Sequence, residues 1–160
     1  MSVAMADPDP AGVVADADVL AADLLCGGPA REALDLVRAH SWVTLTASDP
    51  LLADARGLIA TFADDDLADA WDERIRDLRV RVEHPPEDHP ALASAAAGGA
   101  AHVLTFDDDL RGAQTGMALR EHVATSVKHP RGFVGLFDPE KLYPTVIGGE
   151  YPGPDRDPRG

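Results

Sequence analysis

The chain alternates short apolar runs of β type with longer segments in which apolar residues recur at helical spacing. The β-type runs are GVVAD (12–16), WVTLT (42–46), RVRVE (79–83), AHVLT (101–105) and VATSV (123–127), and the helical segments cover about 18–39, 49–76, 88–98, 108–121 and 131–142. Strands that alternate with helices form a parallel sheet through right-handed crossovers. The sequence therefore predicts the α/β class, with a three-layer αβα fold around a central, mainly parallel sheet of four or five strands.

One domain, residues 11–146, is predicted between two loose ends. A chain of 160 residues suits a single domain with its own core. Residues 1–10 and 147–160 are rich in Pro, Gly and charge, so both ends are expected to be flexible. The first residues lack the pattern of a signal peptide, and no apolar run approaches the length of a membrane span. We therefore expect a cytoplasmic protein without a membrane partner.

The charge balance is strongly acidic. The chain carries 28 acidic and 14 basic residues, which gives a formal net charge of −14; Asp accounts for 21 of the acids, and only two residues are Lys. Such an excess of Asp suits a protein kept soluble in concentrated salt, where the screening length falls to about 3 Å. We therefore expect a halophilic source, an archaeon. At low salt this charge would repel nucleic acid.

Cys26 is the only cysteine of the chain. A single thiol excludes an internal disulfide and a metal cluster built from several thiolates. Because Cys26 lies in the apolar run VLAADLLCGG, we expect a thiol buried in the core.

Aspartates stand at the ends of two predicted strands. Asp16 closes the first strand, and Asp107 follows the fourth by two residues, within TFDDDL. Because the carboxyl ends of parallel strands meet at one edge of a sheet, we expect these two carboxylates to converge if the strands are neighbours. The alternative is structural: Asp18 caps the first helix, Asp16 is a turn residue, and Asp107 to Asp109 form a helix cap in an acidic surface.

Two further acids stand near predicted helices. Asp54 lies at the margin of an apolar helical stripe, from which it can face a cleft beside the sheet or the solvent. Asp88 precedes HPALASAAAGG, a helix of small residues, where Asp88 or Glu87 would act as a cap in the structural alternative. Four converging carboxylates cannot all remain ionised without cations between them. Oxygen ligands without Cys or paired His select Mg²⁺ or Mn²⁺.

Several of these segments resemble motifs of the PIN-domain family of metal-dependent nucleases. DADVLAADLLCGGPAREALDLV is similar to the opening motif of that family, and TASDPLLADARGLI to its second motif, in which Glu is commoner than the Asp54 found here. DHPALASAAAGGAAHVLTFDDDL resembles the third motif, and TSVKHPRGFVGLF resembles the last strand with the Pro-x-x-Phe that follows it. The resemblance covers about residues 13–137. It implies an αβα fold, an acidic Mg²⁺ or Mn²⁺ site and endoribonuclease activity, as in the toxin of a toxin–antitoxin pair.

Together, the pattern of acids and the resemblance predict the catalytic residues. Asp16, Asp88 and Asp107 are expected to hold one or two metal ions. Asp54 is expected to hold or orient a second ion or the attacking water. The metal would lower the pKa of its water and stabilise the charge that builds on the phosphate.

Other residues are expected to support this site. Asp18 and Asp109 would belong to the metal shell, and the hydroxyl of Thr105 would orient a carboxylate or a water. RNA is the expected substrate, with an antitoxin protein and a second copy of the chain as open partners. The cations expected to contact the phosphate backbone are Arg111, Arg120, Lys128 and Arg131.

Other functions stay open at this point. An RNA-binding or scaffold protein with a weak or inactive site is the first alternative. A phosphatase of the haloacid dehalogenase type would need Thr or Val where Leu20 stands, and a Lys before the late Asp pair. A response-regulator-like protein would need its phospho-accepting Asp at the end of the third strand, where Glu83 and His84 stand. The six histidines lack the spacing of a zinc site.

Overall fold

The computed structural model of the protein describes residues 8–111 and 125–158. Five strands form a single sheet, namely β1 (Asp9–Ala15), β2 (Thr44–Ser48), β3 (Val80–Val82), β4 (Ala100–Leu104) and β5 (Ser126–Lys128). Their order is β3-β2-β1-β4-β5, and every pairing is parallel. Helices flank the sheet, so the predicted αβα fold is confirmed. The first and fourth strands are neighbours, as predicted.

Several predicted helical segments are each divided into two helices. The helices are α1 (Ala17–Leu25), α2 (Gly28–Arg38), α3 (Asp49–Phe62), α4 (Asp65–Leu78), α5 (Pro90–Gly98), α6 (Pro130–Leu136) and α7 (Pro139–Val146). Gly27 separates α1 from α2 with a φ of 74°, a conformation that glycine adopts easily. Asp64 and Asp138 cap α4 and α7 with their side chains. None of the helices in the described part of the chain combines the length and apolar character needed to cross a bilayer.

Small local shifts separate the predicted elements from the observed ones. The second strand begins at Thr44, two residues later than predicted, because the backbone N–H of Val43 closes a turn onto the carbonyl of His40 at 3.1 Å. Of the predicted helix 108–121, residues 108–111 are helical and the remainder lies outside the described residues. Cys26 is exposed, so the prediction of a core thiol was wrong. The reason is that Cys26 is the C-cap residue of α1, next to the turn at Gly27.

The central strand β1 lies between β2 and β4, and this position explains its composition. Its residues Ala11 to Ala15 are buried, with Val13 and Val14 fully so. Helix α5 lies against β1, β2 and β4 through its small side chains. At Gly98 an added Cβ would lie 2.5 Å from Cγ2 of Thr46, so this close approach requires glycine.

The described end of the chain packs against the turn between α2 and β2. The backbone N–H groups of Asp155 and Arg156 both donate to the carbonyl of Ala39, at 2.9 and 3.1 Å. The hydroxyl of Tyr151 lies 2.6 Å from Nε2 of His40. The predicted flexibility of residues 147–160 stays a prediction, but their described part makes these specific contacts. At the other end β1 already begins at Asp9, before the predicted start of the domain.

Candidate metal site at the carboxyl edge of the sheet

Asp16 joins the ends of the two central strands β1 and β4. Its backbone N–H donates to the carbonyl of Leu104 at 2.8 Å. Its Oδ1 accepts the N–H of Ala17 at 2.8 Å as the cap of α1, and its Oδ2 accepts the hydroxyl of Thr105 at 3.0 Å. Thr105 is fully buried, so this hydroxyl has a fixed place in the structure. The described partners of the Asp16 carboxylate are therefore all neutral donors.

Asp107 lies on the other side of the same hydroxyl. Its backbone N–H donates to Oγ1 of Thr105 at 3.0 Å, so Thr105 links Asp107 to Asp16. The Oδ1 of Asp107 accepts the N–H groups of Asp109 and Leu110 at 2.8 and 3.3 Å. These two bonds are those of a helix cap, the structural alternative for this segment. The side chain of Asp107 is exposed, which leaves it open to the solvent as well.

Asp18 is not the cap of α1, contrary to the structural alternative. Asp16 caps α1, whereas Asp18 lies in the first turn and its Oδ2 accepts the N–H of Phe106 at 3.2 Å across the edge. Its Oδ1 is buried and has no hydrogen-bond partner among the described residues. Burial raises the pKa of this carboxyl, and repulsion from Asp16 and Asp107 raises it further. The structure thus brings together three acids, Asp16, Asp18 and Asp107, around Thr105 and Phe106.

Other predicted acids do not join this group through any contact. Asp54 and Asp88 are exposed, and neither carboxylate makes a hydrogen bond or ion pair with a described residue. Asp109 is exposed too and contributes its backbone N–H to Asp107. Among residues 8–111 and 125–158, no three His, Cys, Asp or Glu side chains are already arranged to hold a metal ion.

The predicted phosphate-binding cations are divided between two places. Arg111 pairs with Asp108, and its buried Nε has no partner in the described part of the chain. Arg111 and Arg131 both lie near His129, where burial lowers the imidazole pKa most and the two guanidinium groups lower it further. The ammonium group of Lys128 is elsewhere, 3.1 Å from Nδ1 of His102. Arg120 lies outside the described residues.

Two histidines act as caps that the sequence reasoning missed. His89 caps α5 through a bond from the N–H of Ala91, so neither Asp88 nor Glu87 is the cap of that helix. His129 caps α6 in the same manner, and its ring makes an edge contact with Phe106 at a centroid distance of 5.1 Å. The signal was present in the sequence, because both caps are a His followed by Pro at the first helical position.

Ser48 and His84 form another polar pair that was not foreseen. Ser48 ends β2 and caps α3, and its Oγ lies 2.8 Å from Nε2 of His84. The Nδ1 of His84 lies 2.8 Å from the carbonyl of Pro85, so the ring donates there and accepts the hydroxyl proton of Ser48. Because Ser48 is fully buried, this pair supports the helix cap and offers no access to a substrate.

The fold and this edge define the class of the protein: a parallel αβα domain in which three acids meet at the ends of two adjacent central strands. The profile of the Family of unknown function (DUF7384) matches residues 7–159, so the chain belongs to that family. No curated protein and no solved structure matches the chain.

The resemblance to PIN-domain proteins was therefore wrong, because the matched family is DUF7384 and no PIN-domain family matches. Its motifs consisted mainly of apolar strands followed by acids at helix starts. Any parallel αβα sheet rich in Asp produces that pattern, since Asp is a favoured cap where a strand passes into a helix. Two of the acids that carried the resemblance, Asp54 and Asp88, are exposed, and their carboxylates make no bond to a described residue.

Proposed function

We propose that the protein is a metal-dependent hydrolase of phosphodiester bonds in RNA, with Mg²⁺ or Mn²⁺ held by Asp16, Asp18 and Asp107. The observation that carries this proposal is the state of Asp18. Within residues 8–111 and 125–158, its Oδ1 is a buried acceptor without a donor, and two further carboxylates lie close to it. A buried, unpaired acceptor is costly, and a divalent cation would supply both the ligand bond and the missing positive charge.

The donor set fits such an ion in its chemistry. Three carboxylates and a threonine hydroxyl are hard oxygen donors, which Mg²⁺ and Mn²⁺ prefer. No three acids are prearranged within the described residues, so binding requires that at least one carboxylate turns away from its present partner. Asp107 is the best candidate, because its side chain is exposed and one of its cap bonds is long, at 3.3 Å.

The residues around these acids suit a phosphodiester substrate. Thr105 orients Asp16 by its hydroxyl, and the backbone N–H of Phe106 orients Asp18. Arg111 and Arg131, near His129, provide positive charge next to Phe106 and are suited to contact phosphate. A bound divalent ion would lower the pKa of a water and offset the charge of the phosphate. The proposal needs neither Asp54 nor Asp88.

The biological setting belongs to the same proposal. RNA hydrolysis by this chain goes with a cytoplasmic location, and concentrated salt inside the cell would screen its net charge of −14.

If the protein is the toxin of a toxin–antitoxin pair, its induction arrests growth and a small protein encoded beside it relieves the arrest. Growth that continues on induction would remove the toxin role and leave the hydrolase to be tested separately. Gel filtration would test for a homodimer.

The deciding experiment is incubation of the purified protein with labelled RNA and Mn²⁺ in molar KCl. We expect cleavage that chelation by EDTA stops and that Asp18→Asn and Asp107→Asn each abolish. Asp66→Asn is the matched control, because Asp66 is an exposed acid in the first turn of α4. Cleavage that survives both substitutions at the edge would show that the acids are not the site.

A non-catalytic RNA-binding role is the second candidate. It is favoured by the two cap bonds of Asp107, which give this carboxylate a structural use without any metal. RNA would then bind in EDTA, and the Asp18→Asn and Asp107→Asn variants would bind as well as the wild type.

A further inference from the structure

A second site of different character lies on the sheet, between β4, β5 and the two last helices. A cavity of about 290 Å³ opens there, lined by the side chains of Lys128, Lys141, His102, Phe133, Phe137 and Leu142, among others. This volume lies just below the lower end of the range for ligand sites, roughly 300–1,000 Å³. The cavity is therefore of a size for a small organic molecule.

The cavity gathers positive charge in a strongly acidic protein. Lys128 and Lys141 are the only lysines of the chain, and both line it. Within the described residues, neither ammonium group lies within ion-pair distance of a carboxylate. The one acid in the wall, Asp138, uses Oδ1 to accept the backbone N–H groups of Glu140 and Lys141 as the cap of α7. Two lysines that have no ion-pair partner among the described residues thus line one cavity.

His102 fixes the position of the more buried lysine. Its Nε2 donates to the carbonyl of Pro10 at 2.9 Å, so its Nδ1 is the acceptor for the ammonium group of Lys128 at 3.1 Å. An ammonium group has three donors, and this bond uses one of them. Burial lowers the pKa of Lys128. Burial also lowers the pKa of His102, and the positive charge of Lys128 lowers it further. An anion bound beside Lys128 would relieve the cost of its burial, because it would provide the missing opposite charge.

The rest of the wall is apolar. Phe133 and Phe137 stack on each other at a centroid distance of 4.7 Å, and both rings contact His102 edge-on. Leu142 completes this side, and Leu136, which is 75% exposed, lies at the rim. A bare inorganic anion would leave these surfaces in contact with water, whereas a hydrocarbon or aromatic group would cover them.

We propose that this cavity binds a small carboxylic acid with an apolar body, whose carboxylate pairs with the ammonium groups of Lys128 and Lys141. The apolar body lies against Phe133, Phe137 and Leu142. This site is independent of the proposed RNA hydrolysis, because the side chain of Lys128 bonds to His102 and makes no contact with Asp16, Asp18 or Asp107.

The test is calorimetric titration of the full chain with benzoate, with benzamide as the neutral isostere and inorganic phosphate as the bare anion, all at constant ionic strength. We expect benzoate to bind at one site, at least tenfold more tightly than benzamide or phosphate. Lys128→Met should weaken benzoate binding at least tenfold, and Lys141→Met should weaken it less, because Lys141 is exposed. Arg74→Met is the matched control, since Arg74 is an exposed cation that does not line the cavity, and it should bind like the wild type.

Equal binding of benzoate and benzamide would overturn the proposal, as would unchanged binding by Lys128→Met or tighter binding of phosphate. If Lys128→Met fails to fold, NMR of the wild type decides the question. Benzoate should then shift the ring signals of His102, and unshifted signals would overturn the proposal.

Discussion

Two aspartates occupy matching places on the sheet and have opposite surroundings. Asp18 lies in the first turn of α1, after β1, and Asp49 lies in the first turn of α3, after the neighbouring β2. Three arginines, Arg76, Arg79 and Arg81, contact Asp49. Hydrogen bonds from Arg79 and Arg81 lower the pKa of Asp49 to about 2. No cation contacts Asp18 within the described residues, and its pKa is raised. Both carboxylates are stabilised by the N-terminus of a helix, so the difference between their pKa values arises from the burial and the contacts of each side chain.

The contacts of Asp49 explain its structural purpose. Arg79 and Arg81 come from the end of α4 and from β3, and Arg79 also donates to the carbonyl of Ala47 at 3.0 Å. The acid therefore ties the short edge strand β3 to β2. Within the described residues Asp18 has no comparable link, because its carboxylate bonds to backbone N–H groups such as that of Phe106 and contacts no cation there. An acid at this edge is therefore structural where arginines neutralise it, as at Asp49, whereas Asp18, which no described cation contacts, is the acid that we propose for the metal ion.

The largest expected effect is on activity. Asp18→Asn should lower Mn²⁺-dependent RNA cleavage by more than the roughly 10–100-fold that the loss of an outer-shell metal partner costs. Asp49→Asn removes the same charge at the matching place and should leave the cleavage rate within about twofold of the wild type, because Asp49 is occupied by arginines. Initial rates on labelled RNA measure both variants. Equal losses in the two would show that general charge, and no particular site, governs the rate.

The next effect is on stability in the presence of metal. A ligand that binds only the folded state at 100 times its Kd adds about 2.7 kcal/mol. Mn²⁺ at constant ionic strength should therefore raise the Tm of the wild type and of Asp49→Asn, and should raise that of Asp18→Asn or Asp107→Asn much less. At pH 4 the increase should be smaller, because protons compete for the carboxylates. Differential scanning calorimetry makes the measurement. An Mn²⁺ effect that persists in Asp107→Asn would place the ion elsewhere.

The sequence was sufficient to predict the fold and the meeting of Asp16 with the fourth strand. The fold follows from the alternation of strand and helix periodicity, which is a local pattern of the sequence. The position of Asp16 follows from the rule that the carboxyl ends of parallel strands lie at one edge of the sheet. The partners of each acid could not be predicted, because they depend on side chains that are distant in sequence. Thr105 contacts Asp16 across 89 positions, and Arg79 contacts Asp49 across 30. In a chain with 21 Asp, acidic residue type alone could not distinguish Asp18 from Asp54, which is exposed.

A smaller effect concerns stability and pH at Asp18 without metal. The raised pKa means that the folded state retains a proton at pH values where the unfolded chain has lost it. Asp18 therefore costs no stability below its unfolded pKa, near 3.9, and costs progressively more as the pH rises through its folded pKa. Asp18→Asn removes this cost and should therefore raise the Tm at pH 7 above that of the wild type.

The gain in Asp18→Asn should disappear near pH 3, where the carboxyl is protonated in both states. Asp109→Asn is the control, because Asp109 is an exposed acid at the same edge and should change the Tm little. Thermal unfolding in EDTA at both pH values makes the measurement. A loss of stability in Asp18→Asn at pH 7, or a gain that is the same at pH 3, would show that repulsion and burial do not control this carboxyl.

The smallest effect is expected at Asp49, and its sign is opposite. A folded-state pKa of about 2, below the unfolded value, means that the ionised carboxyl stabilises the folded state above about pH 4 and that this stabilisation is lost as the pH falls through about 2. The side chain is 42% exposed, so solvent screens these pairs and their contribution stays near the roughly 0–1 kcal/mol of surface salt bridges. Asp49→Asn should therefore lower the Tm at pH 7 by no more than a few degrees, less in molar KCl, and the difference should close toward pH 2.

Thermal unfolding of Asp49→Asn measures this difference, and Asp54→Asn is the control, because Asp54 is an exposed acid without an ion pair to a described residue. A difference that is as large at pH 2 as at pH 7 would mean that the arginines hold β3 by their backbone contacts, such as that of Arg79 with Ala47, and that the charge of Asp49 is incidental to the strand.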